Sequence, residues 1–370
     1  MGRTLKLVVW LVVLVLVLIG AVAYVADYYF QNLQSQQVQS TPTYLLSLIK
    51  AKDSGNNTEA LAQYQTIESD ASKSAEDEAL AAINISGVAF SQSGNINDVL
   101  QEIQTMKAIV LNPAVAAPER ATAMSILANE YNISGNNPTV FAEVYKDAPF
   151  NTYLVPGDPA LSALNMQKAS YDIRHTSTAA IYVAYLAAGQ YFVKNLDAST
   201  SAMYISLATD YLSKADITAL AESKASAFYP QSTKYVIYRA VRAQTIGRLA
   251  LQKVQPFTTN YRTEFDQFFT ITQALHSTAA MDATLSVRFQ YAKVLAADSD
   301  AADAKTQLDQ LAQELGALTS PSGYSFVASL KTEHANPTGP TWQSVLKMEK
   351  ISPAFKAAVD SLVTSSSSSK

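Results

Sequence analysis

The run LVVWLVVLVLVLIGAVAYVA, Leu7–Ala26, constrains this chain most. It holds no charge and no proline, and fourteen of its twenty residues are Leu, Ile or Val. Twenty helical residues at about 1.5 Å each span roughly 30 Å, the thickness of a bilayer's hydrocarbon core. The run passes without a break into Asp27-Tyr28-Tyr29-Phe30, whose rings suit a membrane–water interface. These features predict a signal-anchor helix over residues 7–30. A cleaved signal peptide is the alternative. Met1–Lys6 is short and basic, Leu7–Ile19 is an apolar stretch of the right length, and Ala21-Val22-Ala23 has the form of a cleavage site. Cleavage near Ala23 would release the rest as a secreted protein. Both readings give one direction. Arg3 and Lys6 precede the run and the next cation is Lys50, so residues 1–6 belong in the cytoplasm and the remainder outside it.

The chain beyond the run reads as helix. Glycine is scarce at 12 residues, and 48% of the chain is apolar, with Ala and Gln/Lys/Glu interleaved at helical spacing. A net charge of −4 excludes the basic footprint of a general nucleic-acid binder. Residues 31–41 are polar and nearly uncharged, a stalk between membrane and domain. The helical body is expected over 42–333, with a break at 334–340 (HANPTGP), a short helical piece over 341–363 and a disordered Ser-rich tail over 364–370. The absence of cysteine fits export without disulfides but argues little.

The clearest unit is ISGVAFSQSGNINDVLQEIQTMKAIVLNP, Ile85–Pro113. Gly87 and Phe90 are read on one face of a helix that stops at Ser93-Gly94-Asn95. A second helix then carries Val99, Ile103 and Met106. A small residue lets two helices approach, a large one fills the gap, and Gly-Asn makes the left-handed turn between them. Similar offsets recur at Ala128, Tyr131, Gly135 and Asn136. Looser copies use Leu48, Ala51, Gly55, Asn56, Ala60, Tyr64 and Ile67, and Ala292, Leu295, Ser299, Asp300, Ala304, Leu308 and Leu311. This order resembles the tetratricopeptide repeat (TPR) over roughly residues 42–149 and 280–316. The 41 residues from Gly87 to Ala128 exceed that family's repeat of about 34. Between Asp158 and Gln273 no repeat can be phased, although Ala187-Ala188-Gly189-Gln190-Tyr191 is a candidate turn. The resemblance implies an all-α fold, an irregular TPR-like α-solenoid of antiparallel helix pairs preceded by one transmembrane helix. An ordinary helical bundle is the alternative.

Chemistry is thinly represented. There are three histidines and no cysteine, and no Gly-rich phosphate loop, nucleophile elbow or HExxH pattern. Asp172 and His175, three apart and read on one helix, are the best metal pair; a surface salt bridge explains them more simply. His276 is read at a helix C-terminus and His334 in a loop. No catalytic residue, metal or cofactor is expected, and the function expected is binding.

Charge placement suggests where. Asp53–Glu102 carries nine acids against Lys73 alone. Ser223–Thr263 has no acid, yet holds Lys224, Lys234, Arg239, Arg242, Arg248, Lys253 and Arg262. Lys234, Tyr235, Tyr238, Arg239, Arg242 and Arg248 are therefore the candidate partner-binding residues, since Tyr and Arg are enriched at binding hot spots. The competing reading is that neighbouring helices neutralise these cations with acids from elsewhere, giving ordinary ion pairs. Tyr182, Tyr185 and Tyr191 are read as core filling rather than a ligand groove. The expected function is a single-pass membrane scaffold or assembly protein of the cell envelope, binding protein partners that present an acidic segment. Binding of an anionic envelope polymer or lipid through the basic middle helices is the alternative, and an enzyme without recognisable motifs is a third.

Overall fold

The structure is a computed structural model, and it describes residues 43–133, 137–193, 196–225, 232–273, 275, 278–319, 321, 324–335, 337 and 339–364. The N-terminal segment 1–6, the apolar run, the stalk and residues 365–370 of the expected tail lie outside the described residues, while Thr364, placed in the tail from sequence, ends the last helix. Among the described residues every regular element is a helix, and no helix is long and apolar enough to cross a membrane.

The first helices are α1 (Thr43–Asp53), α2 (Asn57–Glu68), α3 (Ala75–Asn84), α4 (Val88–Ser93), α5 (Ile96–Leu111), α6 (Ala117–Ile133) and α7 (Pro138–Val144). Their ends follow from local chemistry. Gly55 takes φ +76°, and Asn56 then caps α2 by accepting from the Glu59 N–H at 3.2 Å. Ser74 and Asp77 form a reciprocal capping box on α3. Gly94 takes φ +66° and Asn95 caps α5, as the Gly-Asn signal implies, and Val99, Ile103 and Met106 are buried. Gly87 corrects the sequence reading. It is not on a helical face but breaks the chain between α3 and α4 at φ +76°, and its N–H donates to the Glu102 carboxylate at 2.9 Å. The second copy of the motif is only partly visible, because Gly135, Asn136 and the Tyr131 side chain lie outside the described residues.

After a 3-10 turn at Phe150–Tyr153 come α8 (Pro159–Ile173), α9 (Ser177–Val193), α10 (Ala198–Ala225), α11 (Thr233–Leu251), α12 (Phe257–Gln273), α13 (Thr278–Ala297) and α14 (Ala301–Gly316). No repeat can be phased here from sequence, yet the packing is orderly. Helices α9, α11 and α13 lie side by side, and α10, α12 and α14 each pack on the helix preceding them. Helix α9 explains the difficulty. Its sequence STAAIYVAYLAAGQYFV is apolar nearly all round because α8, α10 and α11 cover it, so no amphipathic stripe shows. The candidate turn at Ala187–Tyr191 is helix throughout. At the looser copy downstream, Ser299 takes φ +65° and Asp300 caps α14, with Ala304, Leu308 and Leu311 buried.

The chain closes with α15 (Ser325–Ala335), α16 (Pro340–Met348) and α17 (Pro353–Thr364). His334 therefore stands in a helical turn rather than in a loop, with its ring edge-on to Trp342 at 4.8 Å. The 341–363 region is two helices, and they share an apolar core with α13, α14 and α15 instead of forming a separate piece.

The cores run in succession. Leu45, Leu48 and Ile67 start the first, and Ile103, Met124, Leu127 and Phe150 fill the second. Ile181, Leu249, Phe265, Phe268 and Leu295 form the third, and Leu308, Leu330, Phe355 and Val359 the fourth. Helix α8 is shared, giving Leu164 to the third core and Met166 to the second. A buried polar strap joins α6, α8 and α9: the Gln167 amide donates to Ser125 Oγ at 2.9 Å and to the Ala179 carbonyl at 3.1 Å. One contact departs from a simple linear stack, in which each unit meets only its neighbours. Helix α1 also packs on α13, far along the chain, where Lys52 faces Asp282.

Candidate functional site

The six candidate residues all map to α11, and they differ in what they touch. Arg242 is spent on internal acids. Its Nε and Nη2 donate to the two carboxylate oxygens of Asp216 on α10, at 2.9 and 3.0 Å. Its Nη1 donates to Glu264 on α12. The Tyr238 hydroxyl also donates to Asp216, at 2.6 Å, and burial followed by this carboxylate pushes its pKa well up. Arg239 donates to Gln267 at 2.9 Å and lies 3.7 Å from Glu264. Beyond α11, Arg262 bridges to Asp300 and Asp303, and Lys253 to Asp298. Lys234 is exposed at the start of α11, facing Glu119 of α6, about 21 Å along the helix from Arg248. Tyr235 tilts against Tyr238 at 5.8 Å. The basic window thus stitches α10, α11, α12 and α14 together.

Arg248 is the one arginine of this window with no carboxylate paired to it among the described residues, as is also true of the exposed Lys224 and Lys234. Its guanidinium carbon stands over the Tyr185 ring of α9, 3.6 Å from the centroid, and its Nη1 donates to the Tyr185 carbonyl at 2.9 Å. Gly189, one turn on, makes the slot: a Cβ there would overlap Arg248 Nη1. This is why α9 carries a glycine in mid-helix, where alanine is intrinsically favoured by about 1 kcal/mol. The cation–π contact and the carbonyl bond fix one edge of the fork. The other edge has no partner among the described residues.

A second cation faces this one. Lys293 on α13 is half-buried, its ammonium 5.7 Å from the Phe289 ring, and no acid pairs with it among the described residues. Burial, then Arg248 and Lys347 of α16, pull its pKa down to about 8, with Glu333 of α15 opposing them. Glu333 is already committed. It is 5% exposed, accepts from the Trp342 N–H at 2.8 Å, and leaves no room for a Cβ at Gly339. Tyr182, one turn before Tyr185, shares the α9 face, and burial, then Tyr185, raises its pKa to about 12. The Tyr191 side chain lies outside the described residues.

The Lys293 charge carries a stability cost with a definite sign. A lysine whose folded pKa lies below the unfolded value near 10.4 binds fewer protons when folded, so the cost is complete below pH 8 and relieved between about pH 8 and 10.4. Lys293→Met, which keeps the stem, should therefore stabilise the fold at pH 7 by about 2 kcal/mol after discounting for partial exposure. Paired urea melts at pH 7 and pH 10.4 check this. The gain should nearly vanish at the higher pH, and equal gains would refute the assignment.

Asp172 and His175 do not form a metal pair. Helix α8 ends at Ile173, and the His175 ring stacks on Tyr171 at 4.4 Å. His276 lies outside the described residues, and no cluster of metal-ligating side chains occurs among those described. A surface pocket lined by Lys253, Thr258, Tyr261 and Asp298 has a volume of about 20 Å³, room for one water. The charge pattern of the sequence does not mark Lys293 or Lys347. The one signal in the sequence is Lys293 alone in FQYAKVLAA, with no acid within a helical turn. No family model, curated protein or solved structure matches this chain.

Proposed function

We propose that the chain is a membrane-anchored, extracytoplasmic scaffold, an irregular TPR-like α-solenoid that binds other proteins through its helical surface and catalyses nothing. The side-by-side packing of α9, α11 and α13, each backed by the following helix, supports the solenoid reading. The apolar run with its cytoplasmic cations supports the anchor. The observation that carries partner binding is the contrast among the cations of the helical body. Arg239, Arg242, Arg262 and Arg288 each pair with an acid of another helix, whereas Arg248 and Lys293, on adjacent helices, pair with none among the described residues. Arg120 and Arg174 lack an ion pair as well among the described residues; what sets Arg248 and Lys293 apart is that they stand on helices packed side by side, each cation against an aromatic ring.

The alternative, an anionic envelope polymer or lipid as ligand, draws on the same open cations. Chemical crosslinking of intact membranes separates the two, with mass spectrometry of what is recovered. The scaffold predicts a protein crosslinked to the helical body and an intact Met1–Phe30 peptide on the mature chain. Recovery of polymer alone would refute the scaffold, and a mature N-terminus after Ala23 would refute the anchor.

A further inference from the structure

We propose that Arg248, Lys293 and Lys347 form a subsite for the carboxylates of an acidic peptide segment, with Tyr182 and Tyr185 as its apolar wall. This rests on the scaffold reading and names the chemistry of its partner. Three elements supply the charges, α11, α13 and α16, and the acid facing them, Glu333, is held by the N-terminus of α16. The Arg248 fork is held over the Tyr185 ring, with Nη1 on the Tyr185 carbonyl in the Gly189 slot, so its remaining edge is preset for a carboxylate accepting two N–H bonds. Lys293, desolvated beside Phe289, gains most from a second carboxylate, because an ammonium out of water is costly until it is paired.

The same geometry disfavours a polyanionic chain. Such a ligand needs a continuous row of exposed cations along its backbone. Here the row is interrupted: Arg239, Arg242, Lys253 and Arg262 are bound to internal acids. What remains is compact, cationic and ring-walled. It suits a short segment that combines Asp or Glu with an aromatic residue.

Protonation provides an independent readout. The groups facing Lys293 are Arg248, Lys347 and Glu333, so an arriving carboxylate raises the affinity of Lys293 for its proton. Binding at pH 8 should then take up a fraction of a proton, and binding should weaken as pH rises past 8.

The test uses the full chain in detergent micelles, titrated with the blocked peptide acetyl-Glu-Glu-Phe-Glu-Glu-amide, its Gln counterpart and linear polyphosphate. The Gln peptide should bind at least tenfold more weakly. Arg248→Gln and Lys293→Met should each cost about tenfold or more, and Lys293→Met should abolish the proton uptake measured in buffers of different ionisation enthalpy. Gly189→Ala keeps every charge but fills the slot, and it should weaken binding several-fold with the melting temperature retained. Lys224→Gln, at an exposed position on α10, should change nothing. Tighter binding of polyphosphate, equal binding of the Gln peptide, or an affinity unmoved by Arg248→Gln, Lys293→Met and Gly189→Ala would overturn the proposal. If a protein is still crosslinked in membranes, that failure removes the subsite and leaves the scaffold; loss of both removes the scaffold as well.

Discussion

Replacing Phe265 by alanine is expected to destabilise the protein by about 3–5 kcal/mol, the range for deleting a fully buried aromatic ring. Phe265 has no exposed surface and stands where α11, α12 and α13 meet. Its ring stacks on Tyr291 of α13, with centroids 4.4 Å apart and an 8° tilt. On its other side is Gly247 of α11, where an added Cβ would lie 3.1 Å from both the Phe265 ring and Val294. A side chain at this position would have to push the ring or Val294 aside by a few tenths of an ångström. Because neighbouring helices are held apart by this ring, the cavity cannot collapse without moving one of them, which places the cost in the upper part of the range. Urea unfolding followed by far-ultraviolet circular dichroism measures it. A loss under about 1 kcal/mol would mean that the three helices do not share this core.

The second large effect is at Arg242. Arg242→Met should cost about 3 kcal/mol, the low end for breaking a buried ion pair because Asp216 is partly exposed. The loss comes less from the missing attraction than from what is stranded: Asp216 and Glu264 lose their shared cation, and Glu264 is only 16% exposed. Two further changes sharpen the test. Arg242→Glu should be worse than Arg242→Met, since three carboxylates would then meet. Combining Arg242→Met with Glu264→Met should recover part of the loss, because one stranded charge is gone. If Arg242→Met left stability unchanged while weakening partner capture, Arg242 would be a binding residue and the separation drawn between it and Arg248 would be wrong.

Some of this architecture is legible in the sequence, and the rest is hidden for identifiable reasons. Gly94-Asn95 and Ser299-Asp300 are readable because a left-handed residue followed by a capping side chain has one common use, ending a helix and starting another. Gly87 and Gly189 show the limit of that logic. One is a left-handed break where the pattern suggests a packing position, and the other is a packing position where the pattern suggests a turn. Glycine alone does not say whether its missing Cβ serves the backbone or a neighbour.

The basic window illustrates a different limit. Asp216 lies just before the acid-free stretch Ser223–Thr263, and Glu264 follows it immediately. A window drawn to exclude acids therefore excludes the partners that antiparallel neighbours bring back. Which cation stays unpaired depends on which helices adjoin, and that is tertiary information. The charge pattern singles out Arg248, but among five companions that do other work. Lys293 becomes visible only when α11 and α13 are seen to lie side by side.

A partner docks at this open cation pair, on the reading proposed above, and not at the basic window at large. Site-specific photocrosslinking in intact membranes tests it most directly, with benzoylphenylalanine placed at Gln244, one turn from Arg248, or at Ser213 on the outer face of α10. The Gln244 probe should yield a crosslinked protein, attached through a peptide rich in Asp or Glu, and lost on adding Arg248→Gln. Crosslinks arising equally from Ser213, or surviving Arg248→Gln, would contradict this.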